Sequence, residues 1–238
     1  WGAADSIVGA GRFNQSDGLL RYYTDGTVSS DDQTSRTWQP QALPYNQDWT
    51  VQVDVSLPDL TIADGQFLAA GLELGKRDDP DKQAIVGMIR EWENGSAENG
   101  FEASIETGNN EDWGEASRTA AQGTVRLRWV TAEKKLYFEY DANGATGGYT
   151  WSVIKSHNLS QGDHNWGMND SSSFVISVRG ESENKTINQS DNFWLDNFGI
   201  GGATPPIITT QPNDAMVVGG TSHTLSVVAG GVDLSYQW

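Results

Sequence analysis

Thr50-Val51-Gln52-Val53-Asp54-Val55-Ser56 alternates strictly between apolar and polar residues. This period of two is typical of a β-strand that buries one face and shows the other to water. Similar alternation recurs in residues 124–131, 135–140 and 173–179. No segment keeps the 3.6-residue period of a helix, so the sequence predicts an all-β fold.

Three further segments complete the predicted strands. Residues 67–74 and 84–92 are apolar on both faces, which indicates strands covered on each side, and residues 193–200 form the last strand. Long polar connections are expected between the strands, at residues 24–34, 76–82, 94–100, 108–117, 143–148 and 157–172. Many antiparallel strands spaced by roughly ten residues predict a two-sheet jelly-roll sandwich.

Composition excludes several classes of partner and chemistry. The 238 residues include 15 basic and 32 acidic side chains, for a net charge of −17, and we expect no binding to nucleic acid or anionic lipid. Cysteine is absent, which excludes a disulfide scaffold and a thiolate metal site. No apolar run approaches the roughly 18–20 residues that cross a bilayer, so we expect no membrane insertion.

The C-terminal part predicts a second, incomplete domain. After a sandwich at residues 1–202 and a linker at 203–206, residues 207–238 resemble the first strands of an immunoglobulin-like domain, with Trp238 as its core tryptophan. We therefore expect one module of a longer, modular extracellular chain. Unpaired strands in this segment offer a route to self-association.

Three stretches carry a family resemblance: Leu19-Leu20-Arg21-Tyr22-Tyr23, Asp48-Trp49-Thr50-Val51-Gln52-Val53-Asp54-Val55, and Phe193-Trp194-Leu195-Asp196-Asn197-Phe198-Gly199-Ile200. They look like parts of the concanavalin A-like (laminin G-like) lectin and glucanase sandwiches of secreted bacterial multidomain proteins. The resemblance implies a concanavalin A-like fold and a secreted or cell-surface location. It implies no particular activity.

Tryptophan and tyrosine supply the candidate sugar-binding surface, because aromatic faces pack against the C–H faces of sugars. Trp49, Trp129 and Trp194 keep the register of core residues and are expected inside. Five other aromatics lie at strand ends or in polar loops, and we expect at least one of them to contact a ligand: Trp92, Trp113, Tyr149, Trp151 and Trp166.

Charged strand residues complete the candidate ligand site. Each of four arginines stands opposite the apolar register, where a sandwich would show a concave face: Arg90, Arg126, Arg128 and Arg179. With Glu73, Glu91 and Glu139 they could form structural ion pairs. Alternatively they, with Glu91, could meet the carboxylates or sulfates of an acidic polysaccharide.

Calcium is the metal that the sequence favours, since it takes oxygen ligands from loops. Asp78, Asp79 and Asp81 place three carboxylates within four residues, and the family resemblance adds Asp196 near the terminal strands. Asp196 has an alternative role in hydrogen bonding to the backbone, which needs no ion. His157 and His164, in one segment with Asp163, lack metal-ligand spacing and indicate a solvated loop.

Catalysis would need two facing carboxylates. Glu91 and Glu93 flank Trp92, and Glu102 and Glu106 share one strand face. The Glu, Asp, Glu pattern that the resemblance implies for glucanases is missing. We therefore predict a non-catalytic carbohydrate-binding or adhesion module. The alternatives are a glycoside hydrolase or lyase of the same sandwich class, with its acids beside Trp92, and a structural subunit of a surface filament or phage appendage.

Overall fold

The computed structural model describes residues 6–37, 42–93, 95–144, 148–202, 207–210, 226 and 228–230. Within these ranges the chain forms strands and their connections, with no helix, as predicted. None of this part of the chain therefore supplies a helix that could span a membrane. The strands are β1 (Ser6–Val8), β2 (Gly11–Ser16), β3 (Leu19–Thr24), β4 (Asp32–Thr37), β5 (Leu43–Pro44), β6 (Trp49–Ser56), β7 (Phe67–Lys76), β8 (Asp79–Glu93), β9 (Ser96–Thr107), β10 (Asn110–Ser117), β11 (Gln122–Val130), β12 (Lys135–Asp141), β13 (Ser152–Asn158), β14 (Ser173–Glu183), β15 (Trp194–Gly202), β16 (Ile207–Thr210) and β17 (Val228–Gly230).

Two antiparallel sheets face each other. One has eight strands in the order β1-β4-β14-β7-β8-β9-β10, with β5 also paired to β14, and the other has seven in the order β13-β12-β11-β6-β15-β3-β2. This arrangement confirms the predicted two-sheet antiparallel sandwich. β10 is an edge strand of the first sheet, and β13 is an edge strand of the second.

The core lies between the sheets and follows the strand alternation. Val51, Val53 and Val55 are fully buried, as their period of two predicts, and Trp49 and Trp129 are buried beside them. The prediction for Trp194 is wrong: its neighbours Phe193 and Leu195 are buried, whereas Trp194 is half-buried and donates from Nε1 to Asn192 Oδ1 over 3.0 Å.

Tyr22 connects the two sheets across this core. It lies on β3 of the seven-stranded sheet and is fully buried, and its hydroxyl bonds to the Asp32 carbonyl and, at 2.9 Å, to Ser182 Oγ in the facing sheet. Burial raises the pKa of this hydroxyl well above its ordinary value, so it stays protonated. Gly180 leaves room for the ring, since an added Cβ would lie 2.5 Å from Tyr22 Cδ2.

Two segments predicted as polar loops are strands. Residues 108–117 contain β10, and residues 94–100 contain the start of β9. The prediction failed because β10 is an edge strand whose residues are exposed or half-buried, so it carries no apolar alternation to reveal it. Of the connection predicted at residues 76–82, only Arg77 and Asp78 form a turn, and the other residues belong to β7 and β8.

The segment after residue 202 is described only in part. β16 pairs antiparallel with β17, with a register shift between Ile208 and Thr210. The predicted linker at 203–206 and Trp238 lie outside the described residues. The immunoglobulin-like assignment for residues 207–238 therefore stays a prediction.

Candidate functional site

The outer face of the eight-stranded sheet carries a groove, and strand register explains where it lies. Across neighbouring strands Arg179 lies opposite Gly71, Gly71 opposite Gly87, and Gly87 opposite Glu102. Residues directly opposite on antiparallel strands project to the same face. Because the two middle residues have no side chain, the surface is low between Arg179 on β14 and Glu102 on β9.

The groove has a volume of ≈ 190 Å³ and two kinds of lining. Phe67, Ile85 and Ile89 supply apolar lining. Its charged walls come from β9, β10 and β14, namely Glu102, Glu106, Glu111, Arg179 and Glu181. These five charged residues comprise four acids and one base.

Burial alters the charge of the groove's acids. Desolvation, with smaller contributions from Glu115 and Glu91, raises the pKa of Glu102 to about 7. Burial likewise raises the pKa of Glu181, against the opposing effect of Arg179, whose Nη2 lies 2.8 Å from Glu181 Oε2. Arg179 Nη1 is also 3.9 Å from Glu73 Oε2, so this arginine is an ion-pair centre inside the groove.

Two of the sequence-predicted ligand residues lie on this face. Trp113 on β10 is opposite Ser104, which lines the groove, and 59% of Trp113 is exposed. Glu91 on β8 is opposite Phe67, another lining residue. The structure therefore brings Trp113 and Glu91 to the same surface as Glu102.

Four others lie on the outer face of the opposite, seven-stranded sheet. Arg126 and Arg128 both pair with Glu139, at 2.6 Å and 2.7 Å between Nη2 and a carboxylate oxygen. Arg126 lies 3.8 Å above the Trp151 ring, and Tyr149 stacks on Trp151 with ring centroids 5.1 Å apart. This geometry matches the ion-pair alternative for the two arginines, and it separates them from the groove.

The remaining three predicted ligand residues point towards the interior. Arg90 is 9% exposed and donates from Nε to the Leu60 carbonyl over 2.7 Å and from Nη1 to Asn99 Oδ1 over 2.6 Å. Trp92 is half-buried and packs against the core. Trp166 is fully buried, so its ring has no exposed face for a ligand, although the sequence places it in a polar segment.

The residues suggested for calcium do not converge. Asp79 pairs with Lys82 and lies 4.0 Å from Lys76, and the hydrogen bond from Lys82 lowers the pKa of Asp79. Over the described ranges, neither Asp78 and Asp81 nor Asp196 belongs to a group of three possible ligands within reach of one ion. Calcium takes six to eight oxygens, including backbone carbonyls and waters, so a calcium site at these residues stays a prediction.

Sequence reasoning identified part of the groove. The alternation of Phe101, Ala103 and Ile105 with Glu102, Ser104 and Glu106 shows that Glu102 and Glu106 share a face. Glu111 was missed because β10 was predicted as a polar loop, and Glu181 because it reaches the groove through pairing of β14 with the distant β7. For Glu181, only the strand order supplies that information.

Comparisons with known proteins give fold neighbours and no family. No protein-family model matches the sequence, and no curated protein matches it. Similar solved structures include the potassium-bound carbohydrate recognition domain of Emp46p (10% identity, TM-score 0.49, 80% of this chain and 83% of that chain). A family 7 alginate lyase A1-II′ complexed with product (10%, 0.48, 82% and 84%) and a legume lectin-like domain from Entamoeba histolytica (8%, 0.43, 73% and 84%) are also similar. At this low similarity, function has to be argued from the residues of this chain.

Proposed function

We propose that the chain is a carbohydrate-binding module that holds a neutral glycan in the groove of its eight-stranded sheet. The observation that carries the proposal is a groove lined both by the apolar Phe67, Ile85 and Ile89 and by glutamates, beside the exposed Trp113. Sugars present apolar C–H faces and hydroxyl groups together. Apolar side chains pack against the C–H faces, and carboxylates accept hydrogen bonds from the hydroxyl groups.

The charge of the groove selects the class of glycan. Glu106, Glu111 and Glu181 line it with Glu102, and its single arginine, Arg179, is already paired with Glu181 and Glu73. An acidic polysaccharide would meet like charges there, at a cost that a neutral one avoids. The alternative in which arginines bind sulfates or carboxylates is less favoured, since Arg126 and Arg128 share Glu139 on the other sheet.

Two tryptophan variants on opposite sheets test the proposal. Trp113→Ala should weaken binding of a neutral polysaccharide by about tenfold, the effect of losing about 1.4 kcal/mol of aromatic contact. Trp151→Ala is the matched control, because Trp151 lies on the seven-stranded sheet under Arg126. Affinities are measured by calorimetry on neutral oligosaccharides chosen from a glycan array.

Either of two results would overturn the groove assignment. One is a loss of affinity in Trp151→Ala with none in Trp113→Ala. The other is binding of acidic polysaccharides alone. A wild-type chain that binds no glycan on the array would remove the lectin-like function itself.

A glycoside hydrolase is the second candidate, favoured by one observation. Glu102 and Glu115 lie directly opposite on β9 and β10, so their side chains project side by side on the same face of the sheet. Retaining glycosidases hold their two carboxyl groups about 5–5.5 Å apart. With its pKa raised to about 7, Glu102 can be protonated at neutral pH, as a general acid requires.

Release of reducing ends from neutral polysaccharides tests the hydrolase. If Glu102 is the acid, Glu102→Gln lowers kcat by at least about 100-fold. Trp151→Ala, far from the groove in the other sheet, should keep the rate. Absence of released ends with the wild type, or a rate retained by Glu102→Gln, rejects this candidate.

We also propose that the module works outside the cell, at a surface or in an adhesive chain. Support comes from the net charge of −17, which suits a β-domain exposed to a salty extracellular medium. Self-association through residues 207–238, as in a filament subunit, is tested by size-exclusion chromatography with light scattering. A strict monomer at high protein concentration would contradict it.

A further inference from the structure

A second cavity, of ≈ 530 Å³, lies at the edge where the two sheets meet, and Glu111 lines both it and the groove. It is lined by residues of β10, of β13 and of the connection after β13, among them Asp112, His157, Asp163 and His164. β10 and β13 are the edge strands of their sheets, and they approach closely: a Cβ added to Gly114 would lie 3.3 Å from Lys155 Cδ. Asp112 and His157 therefore come from different sheets.

Three of these residues converge. Asp112, His157 and His164 each offer one ligand atom, and those atoms all lie within 4.8 Å of one another. His157 Nε2 is 3.5 Å from Asp112 Oδ2, and the two imidazole rings meet edge to face with centroids 4.8 Å apart. In a tetrahedral site with bonds of about 2.0–2.1 Å, ligand atoms lie about 3.3 Å apart, so closing this cluster needs small side-chain shifts.

The His157 ring supplies a second observation. Its Nε2 atom is buried and has no hydrogen-bond partner, although it points at Asp112. A buried polar atom without a partner costs free energy that a native fold ordinarily avoids. An ion bound between Nε2 and Asp112 would provide the missing partner.

Neighbouring groups hold the other two ligands in position. Lys155 donates to Asp112 Oδ1, which leaves Oδ2 facing His157. Thr107 Oγ1 lies 3.4 Å from His164 Nδ1 and accepts a hydrogen bond from the buried Trp166 at 3.1 Å. Metal-binding histidines commonly have their second ring nitrogen fixed by such a partner.

We propose that Asp112, His157 and His164 form a binding site for a divalent transition-metal ion of the zinc type, joining the edge strands of the two sheets. Two imidazoles with one carboxylate suit zinc, cobalt or nickel, whereas calcium prefers oxygen ligands alone. Three protein ligands leave a fourth position for water. None of its three ligands is a calcium candidate or lines the groove, although the groove and this cavity share Glu111.

Calorimetric titration of the full chain, without a histidine tag and after treatment with a chelator, tests the site with Zn²⁺ alone. One ion should bind per chain. His164→Gln and Asp112→Asn should each weaken Zn²⁺ binding by at least about 100-fold, since loss of an outer partner alone costs about 10–100-fold. Asp163→Asn is the matched control, because it removes a carboxylate from the same cavity outside the cluster.

Co²⁺ gives a second readout that does not depend on heat. Its visible absorption should show a low-symmetry site with nitrogen ligands in the wild type, and this spectrum should be lost in His164→Gln. The proposal is overturned if the wild type binds no Zn²⁺, or if both ligand variants keep its affinity. It is also overturned if Asp163→Asn weakens binding as much as they do, because that result indicates unspecific attraction to acidic groups.

Discussion

Glu102 shows how one side chain can link the groove to the stability of the domain. Its folded-state pKa of about 7 lies above the ordinary 4.5, mainly because of burial. As pH rises from about 4.5 to 7 the unfolded chain therefore loses this proton before the folded chain does. The contribution of Glu102 to stability is most favourable below about 4.5, falls through this interval, and is constant above it.

Replacing Glu102 with Gln should remove this pH-dependent penalty. The substituted glutamine is neutral at any pH, whereas Glu102 in the folded wild type is charged mainly at the higher pH. We therefore expect the melting temperature of Glu102→Gln to exceed that of the wild type by more at about pH 8.5 than at about pH 5.5. Glu98→Gln, an exposed position on the same strand, is the control. An equal shift at the two pH values, measured by calorimetry, would contradict the assigned burial effect.

At the scale of the strand pair, β11 and β12 are joined by a buried charge cluster. Glu139 is 2% exposed and accepts hydrogen bonds from Arg126 and Arg128, whose side chains also lie against Trp151 and Tyr137. Arg126 and Glu139 are register partners. Both guanidinium groups thus depend on a single carboxylate.

Loss of that carboxylate should be costly. Glu139→Gln is expected to lower the free energy of unfolding by about 3 kcal/mol, because two partly buried arginines lose their counter-charge. Glu133→Gln removes an exposed partner of Tyr137 and should cost under about 1 kcal/mol. Urea unfolding of the two variants gives the comparison, and a loss in Glu139→Gln as small as that expected for Glu133→Gln would contradict the role given to the cluster.

The sequence pattern predicts the strands that bury one face, because their apolar residues alternate, and it does not predict an exposed edge strand. β6, β11, β12 and β14 were predicted because apolar residues recur at every second position. β10 was missed, since no face of an exposed edge strand has to be apolar. The site was harder still: Arg126 and Arg179 look alike in sequence, yet they lie on opposite sheets, and only the pairing of distant strands distinguishes them.

The whole molecule carries far more acid than base, with a net charge of −17. Like charges on a compact surface repel one another more than they do in an extended chain. Added salt screens this repulsion over a Debye length that shortens to about 10 Å at 0.1 M. The folded state should therefore gain from moderate salt.

The melting temperature should rise between about 0.02 M and 0.3 M sodium chloride at neutral pH, as screening increases. Choline chloride at the same ionic strengths should give the same rise if general screening is responsible. A rise with sodium alone would indicate a specific cation site instead. A melting temperature that falls or stays constant in both salts would show that surface repulsion does not limit stability.

The position of β15 has a consequence for synthesis on the ribosome. This strand pairs with β6 and β3, whose residues were made much earlier, and it supplies the buried Leu195. Until Trp194 and its successors leave the exit tunnel, the sides of β6 and β3 that will receive it remain open to other nascent chains. Folding of the seven-stranded sheet is thus completed only after β15 has been made, and a chaperone that shields open strand edges would help most before then.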